Sequence, residues 1–156
     1  MSARCTFHIG PFYFGIPVEA VQEVLRGQTL TPVPLAPPAV KGLLNLRGDI
    51  VTVIDLRETL GIPHTGAGSP PLHVLVRDRG EVVSLCVDRI GEVAEAEDSL
   101  FESPPETLQG TARELIRGAY KLSDRLLLVL DVSKAMETAE RGSSAGSSST
   151  GGLTCE

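Results

Sequence analysis

The 156-residue sequence predicts a mainly β fold in which two similar, barrel-like units pack together. Three observations predict this fold. Short apolar runs are separated by turn residues such as glycine and proline. The chain repeats itself, with the same order of elements in both copies. The strongest strands are apolar at almost every position, as expected when both faces of a strand are buried.

The repeat is visible when the chain is aligned with itself. A shift of 76 residues places Gly42 on Gly118 and aligns their surroundings without gaps. A shift of 69 residues aligns the part that precedes them, so the second copy holds an insertion. Each copy alone has few strands and would be marginally stable. The two units, about 5–61 and 72–136, are therefore expected to share a core.

The first 40 residues are predicted to hold two strands, a helix and a connector. The strands CTFHIG and FYFGIP flank a turn at Gly10–Pro11. Pro17 then takes the first position of a short helix, PVEAVQEVL, in which Val21 and Leu25 share one face. The segment TPVPLAPPAV contains four prolines. It is expected to be an extended connector, because proline fixes φ and lacks an amide hydrogen.

The middle of the chain is predicted to hold the most hydrophobic strand and a hairpin. A turn around Asn45–Gly48 precedes a strand from Ile50 to Leu56, and one helical turn ends at Gly61. The strands LHVLVRD and EVVSLCV are joined by Arg79 and Gly80, a combination that is typical of a hairpin turn.

The last part of the chain combines an acidic segment with a second apolar strand. DRIGEV is predicted to be a short helical turn, and the segment from Glu92 to Glu114 a long exposed excursion. RLLLVLDV is the last strand and SKAMETAER the final helix. Residues 142–156 are predicted to be a flexible Gly/Ser tail, because they have almost no apolar surface to bury. The folded domain is therefore expected to span 1–141.

Composition excludes several classes of partner. The net charge is −6, and it arises between Glu92 and Glu114, where seven acidic residues and one basic residue lie. A chain with no basic surplus and no tryptophan is not expected to bind nucleic acid. No run approaches the ~20 apolar residues of a membrane span, and the N-terminus has no secretory signal. Cys5, Cys86 and Cys155 are scattered, which indicates a reducing cytoplasm.

No catalytic motif or cofactor site is evident in the sequence. His8, His64 and His73 lack the spacing of metal ligands, and no serine-nucleophile or phosphate-binding motif is present. We therefore expect a binding protein without cofactor or metal. Two alternatives remain. One is a small β-barrel hydrolase or deaminase that uses Asp55, Asp131 or a histidine. The other is a generic SH3-like peptide-binding module, which would need exposed aromatic residues.

The two copies differ at one informative position. Asp55 and Asp131 are equivalent in the repeat, so we expect a shared structural role in holding the turn after each strand. Arg47 falls on Ser123 and has no equivalent in the second copy. A feature that is present in one copy only is where we expect function.

The segment GLLNLRGDIVTVIDLRETLG closely resembles the CheW family, the adaptors of bacterial chemotaxis. Members carry G-x-x-N-L-R-G followed by an apolar strand that ends in V-I-D-L-R. FYFGIPVEAVQEVL resembles the family's first strand and helix, and GAYKLSDRLLLVLDVSKAM its closing segment. The similarity covers roughly Cys5 to Met136. It implies one CheW-like domain of two SH3-like five-stranded barrels with short helices, which agrees with the repeat.

The resemblance also implies a function and partners. CheW-like proteins bridge the cytoplasmic tip of a chemoreceptor to the regulatory domain of a CheA-type histidine kinase. They do so without catalysis, in receptor arrays on the cytoplasmic side of the membrane. The alternative within the family is an accessory paralogue that binds the receptor but does not recruit the kinase.

The residues that the resemblance assigns to the receptor-facing groove lie in two segments of the first copy, the first helix and the N-L-R-G turn. Gly42 and Gly118 match family glycines at closely packed backbone. The receptor-facing residues are Val21, Glu23, Asn45, Leu46, Arg47 and Gly48.

Overall fold

The computed structural model describes residues 2–63, 70–106, 108 and 110–141. Within these residues the chain is mainly β, which confirms the predicted fold class. The helices are α1 Leu56–Leu60, α2 Gly110–Leu115 and α3 Val132–Arg141. The strands are β1 Ser2–Ile9, β2 Phe12–Pro17, β3 Val21–Arg26, β4 Val40–Leu46, β5 Asp49–Asp55, β6 Leu72–Asp78, β7 Glu81–Val87, β8 Arg89–Ile90, β9 Ala94–Ala96, β10 Phe101–Glu102, β11 Ile116–Lys121 and β12 Leu126–Leu130.

The strands form two sheets with the same internal order. The seven-stranded sheet runs β10-β11-β12-β2-β1-β8, and β9 pairs with β1 as well. The five-stranded sheet runs β3-β6-β7-β5-β4. One parallel pair lies inside each sheet, β12 with β2 and β5 with β7, and these two pairs are equivalent in the repeat.

Each sheet combines strands from both sequence copies. The seven-stranded sheet takes β1 and β2 from the first copy and β8 to β12 from the second. The five-stranded sheet takes β3 to β5 from the first copy and β6 and β7 from the second. The sheets therefore do not coincide with the copies at 5–61 and 72–136. Within the described residues, neither copy forms a complete sheet alone.

The core explains why the strongest strands are apolar on both faces. One large cluster of buried side chains joins both sheets and all three helices; it includes Phe14, Leu85 and Leu115. Each sheet also packs a smaller cluster against its other face. Tyr120 belongs to the smaller cluster of the seven-stranded sheet, and Leu75 to that of the five-stranded sheet. Burial on both faces removes the polar alternation that a half-exposed strand would show.

Several local predictions are confirmed. The β6–β7 hairpin turns at Arg79 and Gly80, whose φ angles are 52° and 83°. Two positive φ angles are typical of the tight turns that suit the twist of a hairpin. The helix α1 ends at Gly61, which takes a left-handed φ of 73° and donates its amide hydrogen to the Arg57 carbonyl. Glycine adopts that conformation without steric cost.

The helix predicted for residues 17–25 is wrong. Residues Val18–Ala20 form one 3-10 turn, and Val21–Arg26 form the strand β3, which pairs with β6. Val21 and Glu23 therefore lie on an edge strand and not on a helix. A nine-residue segment rich in valine fits both patterns, and pairing with β6 decides between them. The strand β4, which precedes the Asn45–Gly48 turn, was not predicted.

The predictions for residues 88–114 are also wrong in part. DRIGEV contains the two-residue strand β8 and no helical turn. The acidic segment is not a simple excursion, because β9 and β10 pair with β1 and β11. Ala96, Leu108 and Ala112 are buried there. Acidic residues outnumber these apolar anchors in the sequence and obscured them. The 142–156 tail lies outside the described residues.

Candidate functional site

The N-L-R-G segment forms the tight turn between β4 and β5. Leu46 pairs with Asp49, so Arg47 and Gly48 are the two residues of the hairpin loop. Both have positive φ angles, 51° and 92°. The Gly48 amide donates to Asn45 Oδ1 at 3.1 Å. A loop with two positive φ angles and an asparagine acceptor is well defined, and it presents the arginine side chain outward.

Arg47 forms a two-pronged ion pair with Glu23. Its Nη1 and Nη2 donate to Glu23 Oε2 and Oε1 at 3.0 and 3.1 Å. The Arg47 side chain is 73% exposed, whereas that of Glu23 is 24% exposed. The pair is thus anchored by a half-buried carboxylate and ends in an accessible guanidinium. Parallel N–H to oxygen bonds of this kind fix orientation more strongly than a single contact.

The ion pair connects the two edges of the five-stranded sheet. Glu23 lies on β3, one edge strand, and Arg47 follows β4, the other edge strand. The two residues were predicted to act together, and the structure places them in direct contact. Both contributing elements belong to the five-stranded sheet. The ion pair therefore links the two edge strands of the five-stranded sheet through their side chains.

The predicted apolar residues of the site have different surroundings. Val21 is partly buried against the large cluster that both sheets share. Leu46 is partly buried against the smaller cluster of the five-stranded sheet. These two side chains therefore do not pack on one common cluster. Ile50, which was not among the predicted receptor-facing residues, is 64% exposed beside the turn and pairs with Asn45.

The two predicted structural glycines occupy equivalent irregularities. The strand register shifts between Val40 and Gly42 in one copy and between Ile116 and Gly118 in the other. A Cβ atom on Gly42 would lie 2.9 Å from the Thr31 carbonyl oxygen. One on Gly118 would overlap the Phe101 ring and the Glu102 carbonyl oxygen. Close backbone approach at both positions supports the proposed structural role.

The two equivalent aspartates lie at equivalent helix starts. Asp55 Oδ1 accepts a hydrogen bond from the Arg57 amide at 3.0 Å at the start of α1. Asp131 Oδ1 accepts one from the Lys134 amide at 3.1 Å at the start of α3. A carboxylate that accepts from a first-turn amide stabilises a helix N-terminus. This geometry supports the structural role.

One polar cluster was missed by the sequence analysis. Arg57, whose side chain is only 13% exposed, donates to Asp88 Oδ2 at 2.6 Å. The same oxygen accepts from the Gly10 amide at 2.7 Å. The cluster ties α1 to the β1–β2 turn and to the end of β7. Arg57 could have been noticed in the sequence, because it directly follows the apolar strand. No sequence pattern pointed to Asp88.

A histidine, a serine and a cysteine form a buried cluster on the five-stranded sheet. His73 is 2% exposed, and its Nδ1 lies 3.3 Å from Ser84 Oγ and 3.7 Å from Cys86 Sγ. Burial, with Lys41 nearby, lowers the pKa of His73. Burial raises the pKa of Cys86 to about 11, so its thiol stays protonated near neutral pH.

The described ranges contain neither a metal-binding cluster nor a membrane-spanning helix. Residues 2–63, 70–106, 108 and 110–141 contain no group of three or more His, Cys, Asp or Glu residues arranged to hold a metal ion. In the same part of the chain, no helix combines the length and apolar character needed to cross a membrane.

Comparison with known proteins gives a consistent family. A family model described as the CheW-like domain matches residues 5–140. Among curated relatives, Chemotaxis protein CheW of Treponema pallidum is 28% identical over 139 residues, with 86% of this chain and 82% of the relative covered. Chemotaxis protein CheW of Bacillus subtilis is 30% identical over 124 residues, with 80% of each covered. Protein FrzA of Myxococcus xanthus is 31% identical over 143 residues, with 86% and 85% covered.

A solved structure also matches the fold. The crystal structure of the scaffolding protein TtCheW from Thermoanaerobacter tengcongensis superposes with a TM-score of 0.76 at 26% sequence identity. The match covers 83% of this chain and 88% of that chain. The similarity therefore extends over nearly the whole folded region and includes both sheets.

Proposed function

Because the chain belongs to the CheW-like domain family, we propose that it is a non-catalytic adaptor of a chemosensory array. It couples the cytoplasmic tip of a chemoreceptor, a methyl-accepting chemotaxis protein, to the regulatory domain of a CheA-type histidine kinase. It acts in the cytoplasm at receptor arrays, with no nucleic-acid partner, no cofactor and no insertion into the membrane.

The observation that supports the receptor contact most strongly is the Glu23–Arg47 ion pair. It joins two segments that are 24 residues apart in the sequence and that were assigned to the same contact. Several members of the receptor-facing set meet here: Glu23 and Arg47 directly, and Asn45 and Gly48 by shaping the turn.

The bond to Glu23 limits which donors of the Arg47 guanidinium a partner can use. Glu23 occupies one hydrogen of each terminal nitrogen. A guanidinium has five N–H donors, so three remain for a partner. These donors face solvent, because the side chain is 73% exposed. We propose that they bind a carboxylate or helix-terminal carbonyl groups of an amphipathic receptor helix, while Glu23 holds the fork in place.

The test compares receptor-tip affinity for three proteins by calorimetry. Arg47→Ala is expected to fold normally, because an exposed ion pair contributes at most ~1 kcal/mol. It should weaken receptor binding by ~1–3 kcal/mol, which is about tenfold or more. Arg47→Lys should recover only part of the loss, since an ammonium group cannot hold Glu23 with two parallel bonds.

The chain offers a matched control for this substitution. Arg79 lies at the same position of the β6–β7 turn, has a φ of 52° and is 77% exposed. Arg79→Ala makes the same chemical change in the same backbone conformation and should leave receptor affinity unchanged. Equal affinities for wild type, Arg47→Ala and Arg47→Lys would contradict the proposed receptor contact.

The kinase contact requires a separate measurement. A pull-down with a kinase regulatory domain alone should retain the protein. Neutralising Glu95, Glu97 and Asp98 on and beside β9 should change kinase binding without changing receptor binding, because these carboxylates lie on a different sheet from Arg47. Equal loss of both activities would indicate misfolding. Receptor binding without any kinase binding would favour the accessory-paralogue alternative.

A further inference from the structure

The edge strand β3 contains one residue more than its partner strand. Val21 pairs with Val76, but Glu23 pairs with the adjacent Leu75, so Gln22 is the additional residue. The Gln22 side chain is hydrogen-bonded: its Oε1 accepts from Arg77 Nη2 at 2.9 Å. An additional residue of this kind is a β-bulge, and bulges re-aim the side chains that follow them.

The bulge changes the face on which Glu23 lies. Val21 and Leu25 are four residues apart and would share one face of a regular strand. Here Val21 packs against the large shared cluster, whereas Leu25 packs against the smaller cluster on the other face of the five-stranded sheet. Glu23 is two residues before Leu25 and shares its face. The additional residue therefore brings the Glu23 carboxylate to the side where Arg47 holds it.

The seven-stranded sheet provides an internal comparison for the bulge. Ile90 pairs with Phe7 and Ala94 pairs with Arg4, so four steps on one strand oppose three on the other. One residue is again in excess at the equivalent place. The backbone irregularity is therefore a property of both sheets, and in the seven-stranded sheet it forms without a Gln–Arg hydrogen bond.

The side chains around this irregularity differ between the sheets. In the seven-stranded sheet, Gly91 stands in place of Gln22 and His8 in place of Arg77. Ser123 stands there in place of Arg47. The Gln–Arg hydrogen bond is thus found in the sheet that has the Glu–Arg ion pair, although the bulge itself does not need it.

We propose that Gln22 is a positioning residue for the Glu23–Arg47 pair and so for receptor binding, because it holds the Arg77 cation away from Glu23; this inference rests on the proposed function. Arg77 lies on β6, two residues from Leu75, which pairs with Glu23. Long side chains at such diagonal positions can reach each other. The neutral amide of Gln22 engages this cation. Glu23 then remains available to Arg47, the arginine that the N-L-R-G turn presents outward.

Two variants separate this proposal from a purely structural role. Arg77→Ala removes the hydrogen bond, and Gln22→Ala leaves Arg77 free to compete for Glu23. Both should keep the melting temperature close to that of wild type, because the bulge forms in the seven-stranded sheet without these side chains. Rotation of the Arg47 guanidinium, measured by 15N NMR of arginine side chains, should accelerate severalfold in Gln22→Ala and stay slow in Arg77→Ala, which removes the competing cation. The double variant Gln22→Ala/Arg77→Ala should restore slow rotation, and Arg79→Ala should leave it unchanged.

Receptor-tip affinity provides the second readout. Gln22→Ala should weaken it about three- to tenfold, the range of coupling between residues in one network. In a Glu23→Gln background the same substitution should have no further effect, because the group that it positions is already lost. Rotation of Arg47 at the wild-type rate in Gln22→Ala, or an equal affinity loss in both backgrounds, would overturn the proposal. If the wild-type protein bound no receptor tip, the proposed function would fail, and the NMR measurement would still decide whether Gln22 positions the pair.

Discussion

Truncation of Leu128 to alanine tests whether the two sheets share one core. Leu128 lies on β12, inside the seven-stranded sheet, and is 4% exposed within the large cluster that joins both sheets. The substitution removes three carbon atoms, which at ~0.8 kcal/mol each gives ~2.4 kcal/mol of lost transfer free energy. The cavity that remains raises the expected loss to ~3–5 kcal/mol. At roughly 3 °C per kcal/mol, the melting temperature should fall by about 10 °C or more.

Two neighbours on the same strand calibrate this value. Val129, 3% exposed, belongs to the smaller cluster of the seven-stranded sheet and loses two carbon atoms on truncation, so Val129→Ala should cost ~2 kcal/mol. Leu126 is 37% exposed, so Leu126→Ala removes the same atoms as Leu128→Ala and should cost about 1 kcal/mol or less.

Scanning calorimetry measures both the size of the effect and its cooperativity. We expect one transition in wild type and in each variant, with equal calorimetric and van't Hoff enthalpies, because each sheet needs strands from both copies. Two separate transitions, or a Leu128→Ala protein as stable as Leu126→Ala, would refute the shared core.

Three further predictions concern other parts of the chain. Gly118→Ala should destabilise the protein by ~1–3 kcal/mol in urea titrations and Gly42→Ala by less, because the new methyl group overlaps β10 backbone only at Gly118; the reverse order would contradict the packing argument. His73 has a lowered pKa in the folded state, so its contribution to stability is present above the unfolded pKa of ~6.5 and is lost as pH falls below that value. The free energy of unfolding in urea should therefore be lower at pH 5.5 than at pH 7.5. In His73→Asn this difference between the two pH values should be smaller. Truncation after Arg141 should change neither melting temperature nor receptor affinity, and a drop of several degrees would show that the tail docks.

The fold could be predicted because the repeat and the apolar strands carry its global constraints. The hairpin at Arg79 and Gly80 and the helix end at Gly61 followed from residues with specific backbone preferences. The segment 17–25 was misjudged because valine-rich sequence of that length suits a helix face and an edge strand alike. The choice depends on β6, which follows almost 50 residues later and could not be read locally.

The candidate site could be predicted in part. The absence of an Arg47 equivalent in the second copy drew attention to the N-L-R-G turn, and the turn as the place of receptor binding stays a prediction. Its partner Glu23 was assigned to the same contact only through the resemblance, and direct pairing was not foreseen. Sheet closure brings them together, and no local pattern encodes that distance. Gln22 was passed over because an additional strand residue is recognisable only once the register of both strands is known.

The mixing of copies within each sheet has a consequence for biosynthesis. As the chain leaves the ribosome, the β1–β2 and β4–β5 hairpins emerge early, but their parallel partners β12 and β7 follow much later. Tyr13 on β2 can pair with Leu127 only after the chain has been synthesised to near the end of the folded region. Contacts between such distant segments make folding slow, and the waiting strands expose unpaired edges. The first copy therefore cannot fold ahead of the second during translation. The five-stranded sheet has all its strands once β7 ends at Val87, whereas the seven-stranded sheet is completed only after β12 ends at Leu130.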